Sequence, residues 1–126
     1  MILVDTSVWI DHLRNGNAVL VELLEQNCVV MHPLLLGELA CGNLKNRDQL
    51  LQLWQNLGSL REINHKEALF FIEQNELMGK GVGYIDIYLL ASVTLDANCQ
   101  LWTLDKRLAN VASELGCAMK MDKYST

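Results

Sequence analysis

Apolar residues recur along this chain at two spacings, and the alternation between them predicts the architecture. Residues 1–4 form an unbroken apolar run that ends at once on Asp5, Thr6 and Ser7. A run this short, with β-branched Ile2 and Val4, reads as a strand buried on both faces of a parallel sheet. Ser7 or Thr6 is then placed to cap a helix opening with Val8, Trp9 and Ile10. Val19, Leu20, Leu23 and Leu24 follow at helical spacing within residues 17–26, and residues 28–31 form a second short apolar run. Pro33 suits the first turn of a helix, which continues through Leu39 to a stop at Gly42 and Asn43.

The second half repeats the alternation. Leu50, Leu51, Leu53, Trp54 and Leu57 give a helix over 48–57, and residues 59–63 supply an edge strand. Ala68, Leu69, Phe71, Ile72 and Leu77 give a helix over 66–78. The glycine-rich stretch 79–83 lacks the spacing and the Lys-Ser/Thr ending of a phosphate-cradling loop, and reads as a flexible connection. A strongly apolar helix over 84–97 carries Asp86 in its first turn. Residues 100–103 form a strand, 104–115 the last helix ended by Gly116, and 117–119 a final strand before a polar tail from about residue 120. Strands alternating with helices predict an α/β fold with a central parallel sheet of four to five strands flanked by helices. The whole chain, 1–126, reads as one domain.

Composition narrows the function. With 51% hydrophobic and 20% charged residues the chain is of globular type. A mean hydropathy of +0.14 suggests apolar surface covered by a partner or a second copy. No apolar run reaches the ~20 residues of a membrane span, and the start lacks a basic leader, so no membrane role and a cytoplasmic location are expected. Cys28, Cys41, Cys99 and Cys117 are too scattered for a metal knuckle and read as reduced thiols. His12, His32 and His65 read as surface or packing residues. A net charge of −5 argues against bulk adhesion to nucleic acid. It leaves room for an enzyme whose acids are gathered in one metal site.

Four acids stand in revealing places. Asp5 ends the first strand and Asp105 follows the strand at 100–103, so both belong to one carboxyl edge of the sheet, where open α/β sheets place ligands. Asp86 opens an apolar helix, and Glu38 interrupts another. Singly, Asp5, Asp86 and Asp105 are also good helix caps, and Glu38 is a good solvent-facing residue. Together, carboxylates crowded at one edge call for a hard cation such as Mg²⁺ or Mn²⁺, and such ions serve phosphodiester hydrolysis. Ser7 and Thr103 are hydroxyls able to orient the acids. Lys45, Lys106 and Arg107 are candidates for a basic rim that holds a phosphate backbone.

These residues resemble the PIN domain. The resemblance lies in the opening strand ending in Asp5-Thr6-Ser7, Glu38 in the third helical segment, Asp86 before Ile-Tyr-Leu-Leu-Ala, and Trp102-Thr103-Leu104-Asp105. Within that family the chain is similar to VapC-type toxins of bacterial toxin–antitoxin pairs. The resemblance implies a Mg²⁺- or Mn²⁺-dependent endoribonuclease acting as a toxin, a VapB-type antitoxin that inhibits it, and a homodimer. It assigns catalysis to Asp5, Glu38, Asp86 and Asp105, metal binding to Asp5, Asp86 and Asp105, and support to Ser7 and Thr103. Many relatives carry a further acid and a Phe just after the Thr-x-Asp, whereas Arg107 and Leu108 stand here. The departure leaves the number of ions open and offers Arg107 to phosphate instead.

Other readings compete. A haloacid-dehalogenase-like phosphatase would use Asp5 as nucleophile, but Ser7 stands where its second acid belongs. A non-catalytic binding module would use the acids only as caps. A PIN-like nuclease acting on DNA is not separable by sequence, because 2′-OH contacts are geometric.

Overall fold

A computed structural model describes residues 1–120; the tail expected from about residue 120 lies almost wholly outside the described residues. The first apolar run forms β1 (Ile2–Val4), with all three residues buried. It leads into α1 (Thr6–Asn15), α2 (Ala18–Glu25), β2 (Val29–Met31), α3 (Pro33–Ala40) and α4 (Arg47–Asn56). The chain continues through β3 (Gly58–Ser59), α5 (His65–Gln74), α6 (Tyr84–Thr94), β4 (Gln100–Trp102) and α7 (Lys106–Glu114).

The strands lie in the order β3-β2-β1-β4, and every pairing is parallel. The central strand β1 aligns Leu3 with Val30 on one side and Leu101 on the other. Parallel neighbours need crossover helices on the sheet faces, which explains why β1 and β2 are short buried apolar runs rather than alternating ones, while the edge strand β3 is exposed. The chain builds outward from β1 to β3 and then returns to place β4 on the opposite flank. The strand order therefore reverses between β1 and β4, and the carboxyl ends at such a reversal are where open α/β sheets place their ligands.

The helix expected over 84–97 ends at Thr94, and three other elements differ more in extent. The strand expected at 59–63 is the pair Gly58–Ser59, extended by a hydrogen bond from Leu60 N–H to Met31 O. The strand expected at 117–119 is a single bridge between Ala118 and Leu101. The helix expected over 66–78 stops at Gln74, because Glu76 turns into the left-handed region at φ 52°. Glu76 N–H bonds Glu73 O and Leu77 N–H bonds Ile72 O, a Schellman ending that tucks Leu77 into the core.

The core joins both sheet faces. Trp9 of α1 and Trp54 of α4 are both fully buried and meet edge to face at 5.6 Å, a geometry favoured by aromatic quadrupoles. α6 is apolar on nearly all sides and buries Ile87, Leu89, Leu90, Ala91, Ser92 and Val93. Such a helix belongs to the interior, so Asp86 in its first turn is delivered from inside the protein. Among the described residues no helix is long and apolar enough to cross a membrane. The four cysteines are free thiols; Cys99 and Cys117 are buried, and Cys41 is exposed.

Candidate active site

Asp5 leaves β1 at the reversal point, and Thr103 and Asp105 leave β4 beside it. Asp5 holds the N-cap position of α1, yet its side chain makes no capping hydrogen bond. Its Oδ2 instead accepts Ser7 Oγ–H at 2.8 Å and Thr103 Oγ1–H at 2.7 Å. Each hydroxyl also accepts a backbone N–H, Ser7 from Leu104 at 3.0 Å and Thr103 from Asp105 at 3.1 Å. Both hydroxyl protons are thereby committed to Asp5, and the carboxylate is fixed with Oδ1 left for another partner. Of the two roles expected for Ser7, helix cap or support for an acid, its hydroxyl proton goes to Asp5.

Asp86 and Asp105 do cap. Asp86 Oδ2 accepts Gly83 N–H at 3.1 Å. Asp105 Oδ1 accepts the N–H groups of Arg107 at 2.9 Å and Leu108 at 3.2 Å. Each spends one oxygen on its helix and keeps one, so capping and metal binding are compatible roles. Glu38 lies exposed on α3 between buried Leu35 and Leu39.

Electrostatics ties the four together. The Glu38 carboxyl is held above its ordinary pKa, first by desolvation and then by the charges of Asp5 and Asp86. Asp86 is raised by burial, opposed by the Gly83 N–H, and raised further by Asp5 and Asp105. Asp5 and Asp86 thus link Glu38 to Asp105 in one field of negative charge. Among the described residues no three His, Cys, Asp or Glu side chains are grouped closely enough to hold a metal ion by themselves. Mg²⁺ does not demand such a group, since it keeps several waters and is held by one or two carboxylates. An oxygen-only donor set of carboxylates suits such a hydrated hard ion.

The PIN-domain family matches residues 2–114. The chain belongs to the PIN-domain family. It is 47% identical over 119 residues to Ribonuclease VapC32 of Mycobacterium tuberculosis, covering 94% of this chain and 96% of that protein. That relative places this PIN domain among the VapC type. The crystal structure of PAE2754 from Pyrobaculum aerophilum shares its fold, with a TM-score of 0.65 at 14% identity over 97% of this chain and 90% of that one. Family membership sets aside the haloacid-dehalogenase-like alternative.

The basic candidates of this PIN domain divide. Lys106 and Arg107 are exposed at the start of α7, directly after Asp105. Lys45 stands elsewhere: with Ile10, Leu13, Leu50 and Leu53 it lines a groove of about 850 Å³ between α1 and α4, and none of the four acids borders that groove.

Two residues with local consequences escaped the sequence reading. His32, read as a surface or packing residue, is fully buried as the N-cap of α3, its Nδ1 accepting Leu34 N–H at 3.1 Å. Its Nε2 has no partner among the described residues. Burial lowers its pKa, with Glu62 opposing. A histidine directly before a helix-opening proline was the available signal. Gly81, read as part of a flexible link, packs against Arg107: a Cβ there would lie 2.6 Å from Arg107 Cδ. No pattern in the sequence announces that contact.

Proposed function

We propose that this protein is a metal-dependent endoribonuclease that hydrolyses RNA phosphodiester bonds as the toxin of a toxin–antitoxin pair. Its partner on this reading is a VapB-type antitoxin, its working form a homodimer, and its location the cytoplasm. The ribonuclease name of the 47%-identical relative supports RNA as substrate. The observation that carries the reading is Asp5, a buried acid that leaves its own helix uncapped while two hydroxyls hold one of its oxygens.

Asp5, Asp86 and Asp105 would hold Mg²⁺, or Mn²⁺ in its place, directly or through water. Such an ion, when bound, lowers the pKa of water and offsets charge on phosphate oxygens. Glu38 positions the attacking water and takes its proton, and its raised pKa brings it closer to neutral pH, as suits a general base. Ser7 and Thr103 keep Asp5 from turning toward α1. Lys106 and Arg107 attract the RNA backbone at the α7 edge.

The test is incubation of the purified protein with total RNA in Mg²⁺, with and without EDTA, beside Asp5→Asn. Cleavage by the wild type alone, and only with the ion, is expected. Undiminished cleavage in EDTA, or by Asp5→Asn, overturns the proposal, as does release of phosphate from small monoesters in place of RNA cutting.

A further inference from the structure

Gly81 stands in the loop that leads to Asp86, and Arg107 in the first turn of the helix that follows Asp105. A Cβ placed on Gly81 would lie 2.6 Å from Arg107 Cδ and 3.2 Å from both Nε and Nη1. A side chain at Gly81 would therefore make the exposed arginine shift, and as the two stand the arginine stem lies over the glycine backbone. Gly81 is also at φ +81°, in the left-handed region. The next residue back, Lys80, reaches Glu114 at the far end of α7 at 3.4 Å. The loop therefore runs along α7 and touches it at two points.

These two contacts sort the cations. The charge of Lys80 is spent on Glu114, the only ion pair among the described residues. The Arg107 guanidinium has no carboxylate partner among them, although its backbone N–H is bound to Asp105 and its stem lies beside Gly81. A guanidinium in the first turn after Asp105, but not paired with a carboxylate, is suited to binding an anion that also reaches the acids. A single-stranded RNA backbone presents such anions in series, with phosphates on either side of the one being cut.

We propose that Gly81 is a seat for Arg107, holding its side chain at the rim between Asp86 and Asp105, where the guanidinium binds an RNA phosphate flanking the scissile one. Gly81, alone among the glycines of this loop, is then a positioning residue of the substrate path. Arg107 can grip a phosphate with two parallel N–H donors, and holding its stem removes part of the entropy cost of doing so. The inference rests on the endoribonuclease reading for the identity of the anion.

The loop supplies its own control. Gly79 has φ +74° and nothing within 4 Å of a Cβ, so Gly79→Ala carries the same backbone strain without touching Arg107. Binding of a fluorescein-labelled single-stranded oligouridylate is measured by anisotropy in EDTA at several salt concentrations. Arg107→Ala and Gly81→Ala should each weaken binding by roughly three- to tenfold, and lower the salt slope by about 0.7, the value of one phosphate contact on a single strand. Gly79→Ala should bind as the wild type does, and Gly81→Ala added to Arg107→Ala should cost nothing more. In Mg²⁺ the same variants should raise KM with kcat nearly kept. Wild-type binding by Arg107→Ala, equal losses in Gly79→Ala and Gly81→Ala, or additive losses in the double variant overturn the seat. A wild type that binds RNA without cutting it in Mg²⁺ defeats the nuclease reading instead, and the binding curves still judge the seat. No binding by any variant overturns it as well.

Discussion

Thr103 Oγ1 donates a hydrogen bond to Asp5 Oδ2 across 2.7 Å, joining residues 98 positions apart at the ends of adjacent strands. With the donation from Ser7 it commits one carboxylate oxygen and turns Asp5 away from the helix it would otherwise cap. Thr103→Val keeps the shape and removes the proton. RNA cleavage should fall by about 10- to 100-fold, the usual cost of losing a group that orients a ligand, and Thr103→Ser should recover most of it. Circular dichroism should be unchanged. Wild-type cleavage by Thr103→Val would show that Asp5 needs no such guide.

An ion bound only by the folded state stabilises it, by about 2.7 kcal/mol when its concentration is a hundred times its Kd. Added Mg²⁺ should therefore raise the Tm of the EDTA-treated protein. Asp5→Asn should show little or no rise, since it removes a charge from the centre of the acid field. A shift of equal size in both proteins would place the ion elsewhere.

Repulsion among the acids has its own signature when no ion is present. Glu38 and Asp86 have folded-state pKa values above their ordinary 4.5 and 3.8, by burial first and neighbouring carboxylates second. A raised carboxyl binds its proton more tightly in the folded than in the unfolded state, so stability falls as pH rises through that window. Thermal melts in EDTA should show Glu38→Gln losing less stability than the wild type as pH rises from about 4 toward neutrality. Parallel profiles for the two proteins would count against the coupling.

His32 responds in the opposite direction. Its pKa is lowered from 6.5 because the buried ring resists charge. The unfolded chain then binds the proton more readily, so the contribution of His32 is complete above pH 6.5 and declines as pH falls below it. His32→Asn retains a good cap for α3 and should lose this slope between neutral and mildly acidic pH in urea titrations. His32→Ala should cost about 1 kcal/mol for the lost cap, and more for the space left behind. An unchanged pH slope in His32→Asn would mean that another group is responsible.

Much of this protein is written in short-range pattern. Runs such as Ile2–Val4 and Val29–Met31 are strands because four or fewer apolar residues between polar ones cannot bury themselves as helices, and the helical spacing in residues 48–57 and 84–97 is equally local. The succession of strand and helix leads to a parallel sheet, and a parallel sheet puts Asp5 and Asp105 on one edge. Helix endings were less legible: Leu77 continues an apolar period that the backbone abandons at Glu76, because packing Leu77 into the core outweighs one more turn. The division of labour among the acids is completed by tertiary structure, which brings Thr103 to join the local Ser7 on Asp5. Asp5, Asp86 and Asp105 all stand at helix starts in the sequence, and only the proximity of Thr103 and Ser7 decides that Asp5 leaves its helix while the other two serve theirs. The seating of Arg107 on Gly81 is of the same kind, since it depends on a contact between residues 26 positions apart that no local period encodes. Periodicity specifies what a segment prefers to become; which side chains meet is set by how the segments pack.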